Sequence, residues 1–224
     1  MNYDFYFVHG WGFDKNFWSP VGHILLKKKI ALSVKLIDLG FFSNDNQQDI
    51  LDKSQKNIFV THSFGLNWFL KNKIKTDILI NFFSTPSFVD YQKHPKKTQK
   101  ILSKMIKEFE HNPLDVLYKF YKNCGLENYK KINRKFLNKD NLRSALIDLK
   151  YNNLEKEFNC ISSSIFSIFL RDDLIFNPAI NQIKKMESHK HHIRFIKSNK
   201  HALPFIEPER TSKIIQRFLE NVNK

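Results

Sequence analysis

The stretch FVTHSFGLNW (59–68) runs from an apolar, β-rich segment through a serine and straight into a helix-forming segment. Ser63 thus falls on the turn between a strand and a helix, with Gly65 two residues beyond it and Thr61 two residues before it. A hydroxyl so placed is either an ordinary turn residue or a nucleophile held at the carboxyl edge of a sheet. The decision rests on what the rest of the chain brings to it.

Working outward from this stretch, short apolar runs alternate with helical patterns. YDFYFV (3–8), SVKLIDL (33–39), NIFVTH (57–62), DILINFF (77–83), SSSIFSIFL (162–170) and HHIRFI (191–196) read as strands. Several are apolar throughout rather than alternating, as in a parallel sheet buried on both faces. Helices are expected over about 16–29, 64–73, 178–187 and 207–222. In the last of these, Ile214, Ile215, Phe218, Leu219 and Val222 share one face. The expected fold class is α/β, a mostly parallel, doubly wound sheet.

Between 88 and 157 the alternation stops. Ile101, Leu102, Met105, Ile106 and Phe109 form a helical stripe, Pro113 follows Asn112 as a helix start, and Leu142, Ala145, Leu146 and Leu149 follow Asp140. Residues 89–157 therefore read as a helical lid inserted into a core made of 1–88 and 158–224. Ligands of such sheets bind at the carboxyl ends of the strands, where the lid would sit.

The 224-residue chain has a formal net charge of +15, 22 Phe, 6 Gly and 7 Pro, a composition with ample core and no room for a low-complexity linker. The apolar runs are too short to span a bilayer, and the amino terminus lacks a secretory pattern, so a soluble cytoplasmic protein is expected. Two cysteines, Cys124 and Cys160, have no metal or redox spacing and read as reduced packing residues. HKHH (189–192) lacks a third ligand nearby in sequence, so no metal site is expected. The positive charge points to an acidic partner, although lysine is abundant throughout. It is densest over 91–150, with 15 Lys+Arg against 6 Asp+Glu.

Three side chains then fall into an order that carries chemistry. Ser63 follows the strand 57–62. FLRDDLIFNP (169–178) puts Asp172 and Asp173 after the strand 162–170, and IKSNKHALPF (196–205) puts His201 after the strand 191–196. This Ser, Asp, His order, each on a loop after a strand, resembles the α/β-hydrolases. A serine needs a base to take its proton, an imidazole is one, and a carboxylate fixes the imidazole's tautomer. Asp172 is favoured over Asp173 because Asp172-x-Leu174-Ile175 matches the pattern usual at this turn. The oxyanion donors are expected to be the amide of Phe64 and that of Trp11 in FVHGWGFDKNFW (7–18), with the Trp11 indole walling the acyl pocket.

The likeness extends further. HGWGFDKNFW (9–18), LIDLGFF (36–42), NFFSTPSF (81–88), LYKFYKNCG (117–125), RDDLI (171–175) and HALPF (201–205) resemble the pimeloyl-acyl-carrier-protein methyl ester esterases of biotin synthesis. Thr61 stands where that pattern has glycine. The resemblance implies a serine carboxylesterase without metal or cofactor, acting on an acyl chain held by an acidic acyl carrier protein. It implies substrate contacts from Trp11, Ser63, Phe64, His201 and Phe120, with Tyr118 or Tyr121 as alternatives to Phe120. The basic lid (Lys119, Lys122, Lys130, Lys131, Arg134, Lys135, Arg143) would meet the carrier. A monomer that binds neither nucleic acid nor membrane is expected. The rival readings are a serine esterase or thioesterase acting on a free small molecule, and a non-catalytic binding module.

Overall fold

A computed structural model describes residues 3–42, 56–127 and 136–222. Six strands, β1 (Tyr3–Val8), β2 (Ala31–Ile37), β3 (Asn57–His62), β4 (Ile78–Phe82), β5 (Ser164–Leu170) and β6 (His191–Ile196), pair in the order β2-β1-β3-β4-β5-β6. Every pairing is parallel. β1, β3, β4 and β5 are buried almost throughout, which explains their uninterrupted apolar sequences.

Crossover helices cover both faces. On one, α1 (Ser19–Lys27) contacts α9 (Pro208–Val222), and Phe166 of β5 stacks on Phe218 of α9 at 4.4 Å between ring centroids. On the other, Phe59 of β3 packs against Phe69 of α2 (Phe64–Lys71). The short helices α7 (Ile180–Lys184) and α8 (Leu203–Ile206) complete the β/α part. Between β4 and β5 lie α3 (Pro95–His111), α4 (Pro113–Asn123), α5 (Lys139–Tyr151) and α6 (Glu155–Asn159). α5 is capped by Asn138, whose side chain accepts from the Asn141 amide, rather than by Asp140. No helix among the described residues is long and apolar enough to cross a membrane.

The strand order places the site. From β1 the chain steps outward to β2 and then returns past β1 to β3, so the direction of winding reverses between β1 and β3. The loops leaving the carboxyl ends of these two strands part there and open a crevice. The loop after β1 begins at His9, and the turn after β3 is Ser63.

Candidate active site

Ser63 stands between β3 and α2 with φ 52° and ψ −119°, a backbone conformation that a non-glycine residue holds at a cost of about 1–3 kcal/mol. Two contacts hold it there: its amide donates to Phe82 O at 2.9 Å, and its carbonyl accepts from the Leu66 amide at 3.1 Å. The neighbours leave no room for larger residues. A Cβ on Gly65 would lie 2.7 Å from Val8 O, and one on Gly10 would lie 3.0 Å from Ser63 Cβ. The sharp elbow forms with Thr61 in place. Thr61 is fully buried and donates from Oγ1 to Asn81 Oδ1, starting a polar row that runs through Ser167 to His191 across β3, β4, β5 and β6.

His201 is fully buried, and its Nδ1 lies 2.7 Å from Asp173 Oδ2. The expected partner, Asp172, is exposed, and the carboxylate that meets His201 in this structure is that of Asp173. The reason is local. Asp173 Oδ1 accepts from the amides of Ile175 and Phe176 at 2.8 and 3.1 Å, an Asx turn that folds the carboxylate inward and leaves Oδ2 for the histidine. With Nδ1–H donating to that carboxylate, His201 Nε2 carries the lone pair. It is buried without a hydrogen-bond partner among the described residues. No hydrogen bond joins it to Ser63 Oγ in this structure, and in serine–histidine pairs such a bond often forms only when substrate binds.

His62 fixes the histidine loop from below. Its Nε2–H donates to His201 O at 2.9 Å, and the two rings lie 4.8 Å apart. Burial, and secondarily the neighbouring His201, hold the His62 pKa well below the usual imidazole value, so it stays neutral.

The loop after β1 is set by His9. Its Nε2 accepts from the Leu39 amide at 3.0 Å, which leaves the proton on Nδ1, 2.9 Å from Gly10 O. The Phe13 amide reaches the same carbonyl at 3.3 Å. In a trans peptide the N–H points opposite to the C=O, so two donors on Gly10 O turn the Trp11 amide outward from its own loop. The Phe64 amide, at the first position of α2, has no acceptor within the helix. These are the two backbone amides that the sequence order singles out as oxyanion donors, and the peptide before Trp11 runs close to the serine, since a Cβ on Gly10 would lie 3.0 Å from Ser63 Cβ.

A cavity of about 290 Å³ opens over Ser63, walled by Trp11, Phe88, Leu102, Met105, Phe120 and Leu146. The Trp11 indole does line it but is not free: Nε1 donates to Leu142 O of α5 at 2.8 Å, and the ring meets Phe120 edge-on at 4.8 Å. Phe120 is the aromatic of its segment that faces the cavity, whereas Tyr118 is exposed and Tyr121 turns beneath the Gly12 loop. Cys124 is buried outside the lining. Burial first, then the Asp173 carboxylate, push its thiol well above the usual range, so it remains protonated. His191 of the HKHH run is buried against Ser167 Oγ at 2.9 Å.

Of the lid cations, Lys119 sits at the cavity mouth 4.0 Å from Glu108, Arg143 pairs with Glu110 at 2.7 Å, and Lys122 is exposed. Lys130, Lys131, Arg134 and Lys135 lie outside the described residues.

No family model and no curated protein sequence matches the chain. Solved structures do. A thermophilic esterase from Thermogutta terrifontis superposes over 99% of this chain and 90% of its own, with TM-score 0.69 and 14% identity. MenH from S. aureus covers 99% and 94%, with TM-score 0.69 and 15% identity. A bromoperoxidase from Bacillus anthracis covers 98% and 92%, with TM-score 0.75 and 12% identity. The fold is that of the α/β-hydrolases. Within that fold the strand ends carrying Ser63, Asp173 and His201 are those on which the sequence order of serine, acid and histidine had placed them. The shift from Asp172 to Asp173 moves the acid by one residue along the same loop. Sequence reasoning did not reach His62, or the carbonyl of Leu142 as the partner of Trp11. No local pattern marks them, since the partners are 139 and 131 residues away in the chain.

Proposed function

We propose that this chain is a serine carboxylesterase that removes the methyl ester from a pimeloyl chain carried by an acyl carrier protein, acting in the cytoplasm. The observation that carries the esterase reading is the buried Asp173–His201 pair, whose free Nε2 belongs to a loop clamped to the Ser63 elbow under an apolar cavity. In the reaction, His201 Nε2 takes the Ser63 proton as Oγ attacks the ester carbonyl. The amides of Trp11 and Phe64 hold the resulting oxyanion. Methanol leaves with the proton from His201, and water then releases the acid by the same route.

The cavity supports the acyl half of this reading. Its wall of Trp11, Phe88, Leu102, Met105, Phe120 and Leu146 over Ser63 is apolar enough to take an acyl chain, in a volume of about 290 Å³. Its mouth supports the carrier half. Lys97 of α3 lines the opening beside Ile101 and Leu174, two exposed apolar residues, and the solvent side of α3 carries Lys96, Lys100, Lys104 and Lys107. Lys104 pairs with Glu108, whereas no acid lies within ion-pair distance of Lys96, Lys97, Lys100 or Lys107 among the described residues. The accessible positive face next to the opening is therefore α3, more than the partly neutralised α4 and α5, and it complements an acidic carrier. A serine esterase on a free ester shares every catalytic group. Comparing kcat/KM for carrier-linked pimeloyl methyl ester with that for a free pimelate monomethyl thioester separates the two. A carrier preference of at least tenfold that shrinks with added salt is expected; equal values point to the free-ester reading.

A further inference from the structure

Helix α4 is bonded to both loops that the proposed reaction depends on. At its carboxyl end the carbonyl of Cys124 accepts from the Ala202 amide at 3.0 Å. The carbonyl of that same peptide unit, His201 O, is the one held by His62 Nε2–H. The peptide after the histidine is thus gripped from two sides, by the residue before Ser63 and by the lid helix. One turn earlier on α4, the Tyr121 hydroxyl donates to Gly12 O. Leu117 and Phe120 press on the same glycine, whose added Cβ would meet them at 3.2 and 3.3 Å and whose φ is +72°.

Peptide planarity carries the Tyr121 contact to the oxyanion donor. Gly12 O and the Phe13 N–H belong to one plane, so holding the carbonyl on Tyr121 fixes the direction of the N–H. That N–H donates to Gly10 O, which shares its own plane with the Trp11 N–H. Two coupled planes thus link a lid hydroxyl to the amide that faces the reacting carbonyl. Tyr121 is buried at 2% exposure and is absent from the cavity wall, so it has no direct route to substrate.

We infer that Tyr121 is a positioning residue, whose hydroxyl aims the Trp11 amide at the oxyanion by holding the Gly12 carbonyl. The inference rests on the serine-esterase reading. It makes α4 a fixed brace of the catalytic loops as well as a wall of the acyl cavity.

The test is Tyr121→Phe, which removes the hydroxyl and keeps the ring. Losing an oxyanion donor outright costs about 10²–10³ in kcat, so misaiming one is expected to cost about ten- to a hundredfold. The loss should fall on kcat for a p-nitrophenyl acetate substrate, with KM changed less than twofold. Affinity for an alkyl boronic acid, which forms a tetrahedral adduct on the serine, should drop by a similar factor. An unchanged kcat and boronate affinity, or a change in KM alone, overturns the inference. Melting temperature checks the fold. If the variant does not fold, Leu117→Val slackens α4 against the same glycine, and a smaller loss confined to kcat and boronate affinity is expected, with a KM-only change again contradicting. The underlying reading fails separately: wild-type protein that neither hydrolyses the ester nor binds the boronate sinks the esterase itself, whereas an active wild type with an equally active Tyr121→Phe sinks only the positioning role.

Discussion

An amide at position 173 would still fill the space of the carboxylate and still accept from Ile175 and Phe176, but its NH₂ would face His201 Nδ1 and favour the wrong tautomer. Asp173→Asn should therefore lower kcat by about 10⁴-fold with little loss of fold, as measured on a p-nitrophenyl ester. Asp172→Asn, at an exposed carboxylate, should change kcat less than twofold. The reverse ranking would return the orienting role to Asp172. The sequence places both aspartates on one loop and favours Asp172 through the spacing Asp172-x-Leu174-Ile175, a pattern that counts the distance to the apolar pair and not which carboxylate folds back onto the chain. What separates them is which one closes an Asx turn, and the run Asp173-Leu174-Ile175-Phe176 leading inward to a buried Phe176 is the signal that favours the second. Ser63 by itself read equally as an ordinary turn, and it was the acid and the histidine after later strands, in that order, that singled it out. Thr61 could be judged only in the structure, where its hydroxyl has a partner in Asn81.

At the scale of the element, α3 turns one face to the cavity and the other to solvent. Leu102 and Met105 wall the cavity, and their helical spacing was visible in the stripe that begins at Ile101. The lysines on the opposite side read equally well as an ordinary solvated face, and of the lysines of this helix only Lys97 lines the cavity. Reversing Lys96, Lys100 and Lys107 to Glu should reduce kcat/KM for the carrier-linked ester about tenfold and flatten its dependence on salt. Hydrolysis of p-nitrophenyl acetate should barely move. Equal losses on both substrates would mean that α3 had been damaged, and no loss on either would remove α3 as the docking face. The internal order of α3 to α6 was not legible, because it depends on contacts such as Trp11 with Leu142 and Tyr121 with Gly12, which join residues more than a hundred positions apart.

For the whole molecule, the all-parallel sheet and its crossover helices follow from runs that are apolar on both faces, and this is why the fold was readable from the chain alone. The same burial makes stability depend on pH. Burial holds His62 well below its ordinary pKa and pushes His191 down to about 4. Unfolded, both titrate near 6.5, so the unfolded chain binds more protons as the pH falls below that value. The stabilisation from the neutral rings is complete above pH ~6.5 and is lost on acidification, by up to roughly 3 kcal/mol for His191 as the pH approaches 4. Melting temperature should fall between about pH 6.5 and 4, and His191→Gln should make that fall shallower. An unchanged slope would show that His191 does not contribute. The central claim, that the whole fold converges on one nucleophile at Ser63, is tested most directly by reaction with a fluorophosphonate followed by intact and peptide mass spectrometry. The account predicts one adduct per chain, located on Ser63, absent in Ser63→Ala and in step with loss of ester hydrolysis. Full hydrolytic activity in Ser63→Ala, or an adduct on another residue with Ser63 unmodified, would contradict it.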